Sequence, residues 1–230
     1  MEEMKIKSES YIDDVGNFFM DVTLMKGDEV QYKRIPIQEY LEMFQKNMKR
    51  EERMMVLPSL PESVIWAEVS VDDPQTFNAV VYYPAETRIF EYESMRGGSS
   101  HLMELPYPAM IARVEVSKGV RVNTYLAALK ESVEPTKDTG LYHFPFGNVY
   151  GDMHCCYGNV QVTGIKDVTE APIVLNKYLS ARTNEDLWGQ AKRFEGVVSQ
   201  NQMIDLLLKC KEFPVERLVS TGQTAASFMK

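Results

Sequence analysis

Lys137-Asp138-Thr139-Gly140-Leu141-Tyr142-His143-Phe144-Pro145-Phe146-Gly147-Asn148-Val149-Tyr150-Gly151-Asp152-Met153-His154-Cys155-Cys156-Tyr157-Gly158-Asn159 concentrates the chemistry of this chain. Two of its three histidines and two of its three cysteines fall there. Pro and Gly punctuate the stretch, which predicts extended or turned backbone near a surface. A reactive thiol must be reachable, because the thiolate is the attacking species. An amide donor beside it can hold the oxyanion that forms when a thioester is attacked. Asn148 precedes Cys156 by eight positions and can fold back over it.

Upstream, the sequence is rich in strands. Val64–Val71, Phe77–Tyr83, Arg88–Tyr92, Met110–Val116 and Val120–Leu126 alternate or run apolar between turn signals. Short connections make them an expected antiparallel meander. Arg96-Gly97-Gly98-Ser99-Ser100 reads as a loop, without the Lys-Ser/Thr ending of a phosphate cradle. Before Leu57-Pro58-Ser59-Leu60-Pro61, which is taken as the main boundary, a hairpin spans 18–35 with its turn at Gly27-Asp28. Pro36 then opens a helix with Ile37, Tyr40, Leu41, Phe44 and Met48 on one face.

Downstream, the signal turns helical: Thr169–Leu179, Asn184–Phe194, and a third helix whose Ser199 and Gln202 form a capping-box pattern before Met203, Leu206, Leu207 and Cys210. Pro214 closes it, and the small, polar end from Ser220 is expected to fray. Strands first and helices last favour α+β over a doubly wound sheet. The expected organisation is a hairpin-helix extension at 1–57, a main domain at 58–218 and a flexible tail at 219–230.

Composition bounds the function classes. A 44% apolar and 25% charged chain is ordinary for a globular protein. A net charge of −8 argues against a phosphate-binding face, and Lys46–Arg50 is followed at once by Glu51 and Glu52. No apolar run approaches the roughly 20 residues of a membrane span, and Met1–Lys5 does not resemble a secretory signal. An odd number of cysteines, two adjacent, makes a disulfide framework unexpected and a reducing cytoplasm the simplest compartment.

The central stretch resembles ubiquitin-conjugating enzymes, whose catalytic cysteine follows the asparagine of a His-Pro-Asn flap by eight positions. It is more closely similar to the prokaryotic family D of that superfamily, the family of the PRTRC plasmid cassette. That pattern runs Asp-Thr-x-Leu-Tyr, a Pro, Asn-Val and Cys-x-Gly. It is matched here by Asp138-Thr139, Leu141-Tyr142, Pro145, Asn148-Val149 and Cys156-Tyr157-Gly158. Leu105-Pro106-Tyr107-Pro108 and the hairpin ending at Tyr125–Leu129 resemble the family's proline-rich entry into its last strands, so the likeness covers roughly 104–160. Phe146 stands where the eukaryotic flap has His, and Met153 where the family commonly has Gly.

The resemblance implies an α+β, ubiquitin-conjugating-like meander with packed helices. It also implies carrier chemistry. Cys156 would accept a small ubiquitin-like protein as a thioester from an adenylating (ThiF-like) activating enzyme and pass it to an amine, with Asn148 as oxyanion donor. No metal or organic cofactor is implied for this chain. His143 and His154 are candidates to adjust the thiol, against packed or solvent-facing alternatives. Cys155 is expected to point inward, because alternation turns neighbours to opposite faces. Zinc is disfavoured, since adjacent cysteines lack the gap that wraps a metal. A non-catalytic scaffold on the same fold and a thiol redox protein remain as rivals.

Overall fold

The computed structural model describes residues 4–12, 18–26, 29–39, 59–93 and 98–229. The chain divides into two compact units, Met1–Met55 and Val56–Lys230. The first holds a three-stranded antiparallel sheet: β1 (Met4–Ile12), β2 (Phe18–Lys26) and β3 (Glu29–Pro36). The hairpin read from 18–35 is β2–β3, with Lys26 opposite Glu29. β1 adds a strand unforeseen in the sequence, pairing Ile12 with Phe18 and Met4 with Lys26. Helix begins at 37–39; the rest of the expected amphipathic helix, the Gly27-Asp28 turn and Arg96-Gly97 lie outside the described residues.

The second unit is built on a six-stranded antiparallel sheet in the order β11-β10-β9-β8-β5-β4. Its strands are β4 (Val64–Val69), β5 (Phe77–Tyr83), β8 (Ala109–Ser117), β9 (Arg121–Leu129), β10 (Gly140–His143) and β11 (Ser220–Thr224). Between β5 and β8 the chain leaves the sheet as a separate hairpin, β6 (Glu86–Glu93) with β7 (Ser100–Tyr107). The expected meander therefore needs correction at its third strand. β5 pairs directly with β8, and β6 pairs with β7, a strand not expected from the sequence.

Alternation along β8 explains why this sheet is covered on both sides. Met110, Ala112, Val114 and Val116 face one cluster, together with Phe144, Phe146, Tyr178 and the helices α1 (Ala171–Leu179) and α2 (Gln200–Leu207). Ala109 and Ile111 face the other, with Leu141, Met153, Ala225 and Phe228. Burying both faces of β8 removes its apolar surface from water at about 25 cal/mol per Å².

α1 follows a short 3-10 turn (Val168–Glu170) capped by the Asp167 carboxylate, with Pro172 at the helix start. It buries Val174, Leu175 and Tyr178. At α2, the Ser199 hydroxyl accepts from the Gln202 amide at 3.2 Å, as the capping pattern foretold. Gln202 reaches back one residue further than expected, to the Val198 amide.

Two expectations fail in this region. Asn184–Phe194 is not a helix: only Trp188–Gln190 makes a 3-10 turn. The Asn184 side chain accepts from the Asp186 amide, offering the backbone a turn in place of a helix. The tail beyond Ser220 does not fray. β11 pairs with β10, the Ala225 amide donates to Thr139 O at 2.9 Å, and Phe228 is buried. One large aromatic among small polar residues anchors the end, because the second sheet face would otherwise stand open to water.

Candidate active site: a hairpin bearing Cys156

Residues 148–156 form a small antiparallel hairpin laid along β9. The Tyr150 amide donates to His154 O at 2.8 Å, the Met153 amide to Tyr150 O at 3.0 Å, and the Cys156 amide to Asn148 O at 2.7 Å. Val149 and Cys155 are bridged between them. The hairpin is tied to the sheet by Cys155 N to Thr124 O, 2.7 Å, and Leu126 N to Met153 O, 2.9 Å. The turn, Gly151-Asp152-Met153, ends in a left-handed residue, the usual geometry of a three-residue hairpin loop. Met153 holds that position at φ 73° where glycine would do so without strain. Its side chain, buried in the second cluster, offsets the cost.

Period-two alternation then sorts the side chains. Val149 and Cys155 point into the core. Asn148, Tyr150, His154 and Cys156 lie on the opposite face and are partly exposed. Burial pushes the Cys155 thiol well above its ordinary range, so it stays protonated beside the Tyr178 hydroxyl. Tyr178, likewise pushed up by burial, donates to Gly147 O at 3.2 Å. The two adjacent cysteines therefore have different environments, one sealed and one half-open.

The structure brings Asn148 and Cys156 together through backbone, but it sends the asparagine side chain elsewhere. Asn148 adopts φ 63°, and its Nδ2 donates to Arg182 O at 2.7 Å. This fixes the entry to the hairpin against the loop after α1. Gly147, just before it, sits so close to that loop that a Cβ would meet Asn184 O at 2.4 Å.

His143 lies on β10, not on the hairpin. Its amide donates to Val219 O, while its Nδ1 is buried without a hydrogen-bond partner. Burial, and then the charge of Arg193, lowers its pKa. Among the described residues no hydrogen bond or ring contact joins it to Cys156. His154 occupies the hairpin face instead, between the rings of Tyr150 (5.9 Å) and Tyr125 (5.3 Å). Phe146, at the flap histidine's position, is a core residue stacked on Tyr107 at 4.2 Å.

Three residues around the site went unread in the sequence. Arg193 is 1% exposed and has no carboxylate partner among the described residues. Its guanidinium donates to Phe144 O and Val149 O on the segment entering the hairpin, and to Leu187 O at 3.1 Å. Nothing local marks it, since two of its three acceptors lie more than forty positions back in the chain. Tyr178 is one apolar-face position among several on α1. Tyr150 was legible in principle: a Gly-Asp turn at 151–152 places 150 on the same face as 148, 154 and 156. It lies diagonally across the hairpin from Cys156 on that face, and the neighbouring thiol raises the tyrosine pKa. Among the described residues no three His, Cys, Asp or Glu side chains converge to hold a metal ion.

An antiparallel sheet backed by a few helices has the α+β architecture of a ubiquitin-conjugating-like protein. Residues 39–221 match the Prokaryotic E2 family D, and the chain belongs to that family. No curated protein and no solved structure matches it. Among the described residues no helix is long and apolar enough to cross a membrane.

Proposed function

We propose that this chain carries a ubiquitin-like modifier as a thioester on Cys156. The modifier is received from an adenylating activating enzyme and delivered to an amine. The observation that carries the reading is the contrast within the cysteine pair. Cys156 is half-exposed on a hairpin pinned to Asn148, while Cys155 is sealed in the core. A nucleophile for a large partner needs access on one side and a fixed backbone on the other. Family membership supports the same chemistry. ATP is consumed by the activating partner, so this chain has no need of an organic cofactor or metal for the step.

The test is a trapping assay with the cognate modifier and activating enzyme. A reducible adduct forms on the parent protein, persists in Cys155→Ala and vanishes in Cys156→Ala. An adduct that survives Cys156→Ala overturns the assignment.

A second reading has its own observation. The Asn148 amide is spent on Arg182 O, so the expected oxyanion donor is engaged in structure. A non-catalytic scaffold that binds modifier or activating enzyme fits that engagement, and it is the outcome if no adduct forms at all.

A further inference from the structure

On the exposed face of the 148–156 hairpin, Tyr150 stands directly across from His154 and diagonally across from Cys156. Diagonal neighbours in an antiparallel pair lie within reach of an aromatic side chain. The ring is stacked parallel to the His154 imidazole, with centroids 5.9 Å apart and an interplanar angle of 18°, and His154 in turn packs against Tyr125. Arg113 caps the row from above Tyr125 at 4.6 Å. Cys156 lies on the same partly exposed face as this row, diagonal to Tyr150, which is the row's member with a hydroxyl donor nearest it in the register. Asn148, on the same face, has its amide committed to Arg182 O.

We propose that Tyr150 is the hydrogen-bond donor to the Cys156 sulfur during acyl transfer. The proposal rests on the carrier reading above and names a residue for its bond-breaking step. The acceptor amine nitrogen attacks the thioester carbonyl carbon. A C–N bond forms and the carbonyl π pair moves to oxygen. Collapse restores the C=O bond and breaks C–S, and the bonding pair leaves on sulfur. The Tyr150 O–H donates to that sulfur as its charge develops. The proton released by the amine nitrogen passes to water and finally to the thiolate, so thioester plus amine gives amide plus thiol. A neighbouring thiolate makes phenolate unfavourable, so the tyrosine keeps its proton when a donor is needed.

Tyr150→Phe keeps the ring on His154 and removes only the donor. Two measurements are made on the full chain. The first is site-resolved alkylation of Cys156 by iodoacetamide as a function of pH, which needs no partner. The second is single-turnover discharge of the loaded protein to free lysine. Alkylation at neutral pH is expected to slow about threefold or more, with the profile displaced to higher pH, because a donor to thiolate has been lost. Discharge is expected to slow about tenfold to hundredfold, the range for a hydrogen bond to a charged group. Loading with unchanged discharge overturns the proposal and leaves the carrier reading standing. Slower discharge with an unmoved alkylation profile also overturns it, assigning the hydroxyl to acceptor binding. No adduct on the parent protein removes the carrier reading, and this proposal with it.

Discussion

The amide of Cys156 donates to the carbonyl of Asn148 across 2.7 Å, so an eight-residue spacing in the chain becomes a single rung of a hairpin. The rung depends on Asn148 holding φ 63°, a conformation that asparagine tolerates and alanine does not. Asn148→Gly relieves the backbone but loses the bond to Arg182, whereas Asn148→Ala loses the bond and keeps the strain. The alanine variant is expected to be less stable than the glycine variant by about 1 kcal/mol. Urea denaturation of the two proteins measures the difference, and equal midpoints would show that the left-handed backbone is not costly there.

Arg193 is expected to be the most sensitive polar position near the site. Its guanidinium serves Phe144 O, Val149 O and Leu187 O, and its burial makes every lost bond an unsatisfied acceptor. Each such group costs about 1–3 kcal/mol, so Arg193→Met should lose at least about 3 kcal/mol. Arg193→Lys should rescue little, because an ammonium cannot present a planar fork to three carbonyls. Full stability in either variant, read from a guanidinium titration, would contradict this account.

Met153 sets a buried side chain against a strained backbone. Replacing it by glycine removes about 1–2 kcal/mol of left-handed strain. The same change empties a buried methionine site, which costs about 2–5 kcal/mol. Burial should win, and Met153→Gly is expected to lower the thermal midpoint. A higher midpoint would mean that the strain dominates.

The adjacent cysteines should separate in a labelling experiment. In the native protein at neutral pH, iodoacetamide is expected to modify Cys156 and to leave Cys155 unmodified until the protein is denatured. Cys155 is 2% exposed, and burial pushes its thiol up. Peptide mass spectrometry resolves the two sites, and comparable native rates would refute the assigned environments.

His143 gives the site region a pH dependence of definite sign. Burial, with Arg193 beside it, puts its pKa in the folded chain below the ordinary value near 6.5. Between those two values the unfolded chain binds more protons, so stability rises with pH across that window. The penalty is absent above the unfolded value and is complete below the folded one. His143→Phe should flatten the part of the stability profile lost on acidification below about pH 6.5. Denaturation midpoints of parent and variant at pH 5.5 and 7.5 report it, and an identical slope in both would exclude His143 as the source.

Sequence alone determined what depends on neighbours in the chain. Apolar runs between turn signals marked β5 and β8, the Ser199–Gln202 pair marked the start of α2, and adjacent cysteines had to face opposite ways once their segment was extended. The Asn148–Cys156 spacing and the residues around it pointed to the family that the match over 39–221 establishes. Tertiary structure decided what depends on partners distant in sequence. The Asn148 amide found Arg182, thirty-four positions away, and Arg193 found carbonyls forty-four and forty-nine positions back. The tail became a strand because β10 had an open edge and the second sheet face needed Phe228. A periodic pattern encodes which way a side chain points relative to its own backbone. Which acceptor or apolar surface it meets is settled only when the remote segment arrives, because burial penalises any polar group left without a partner.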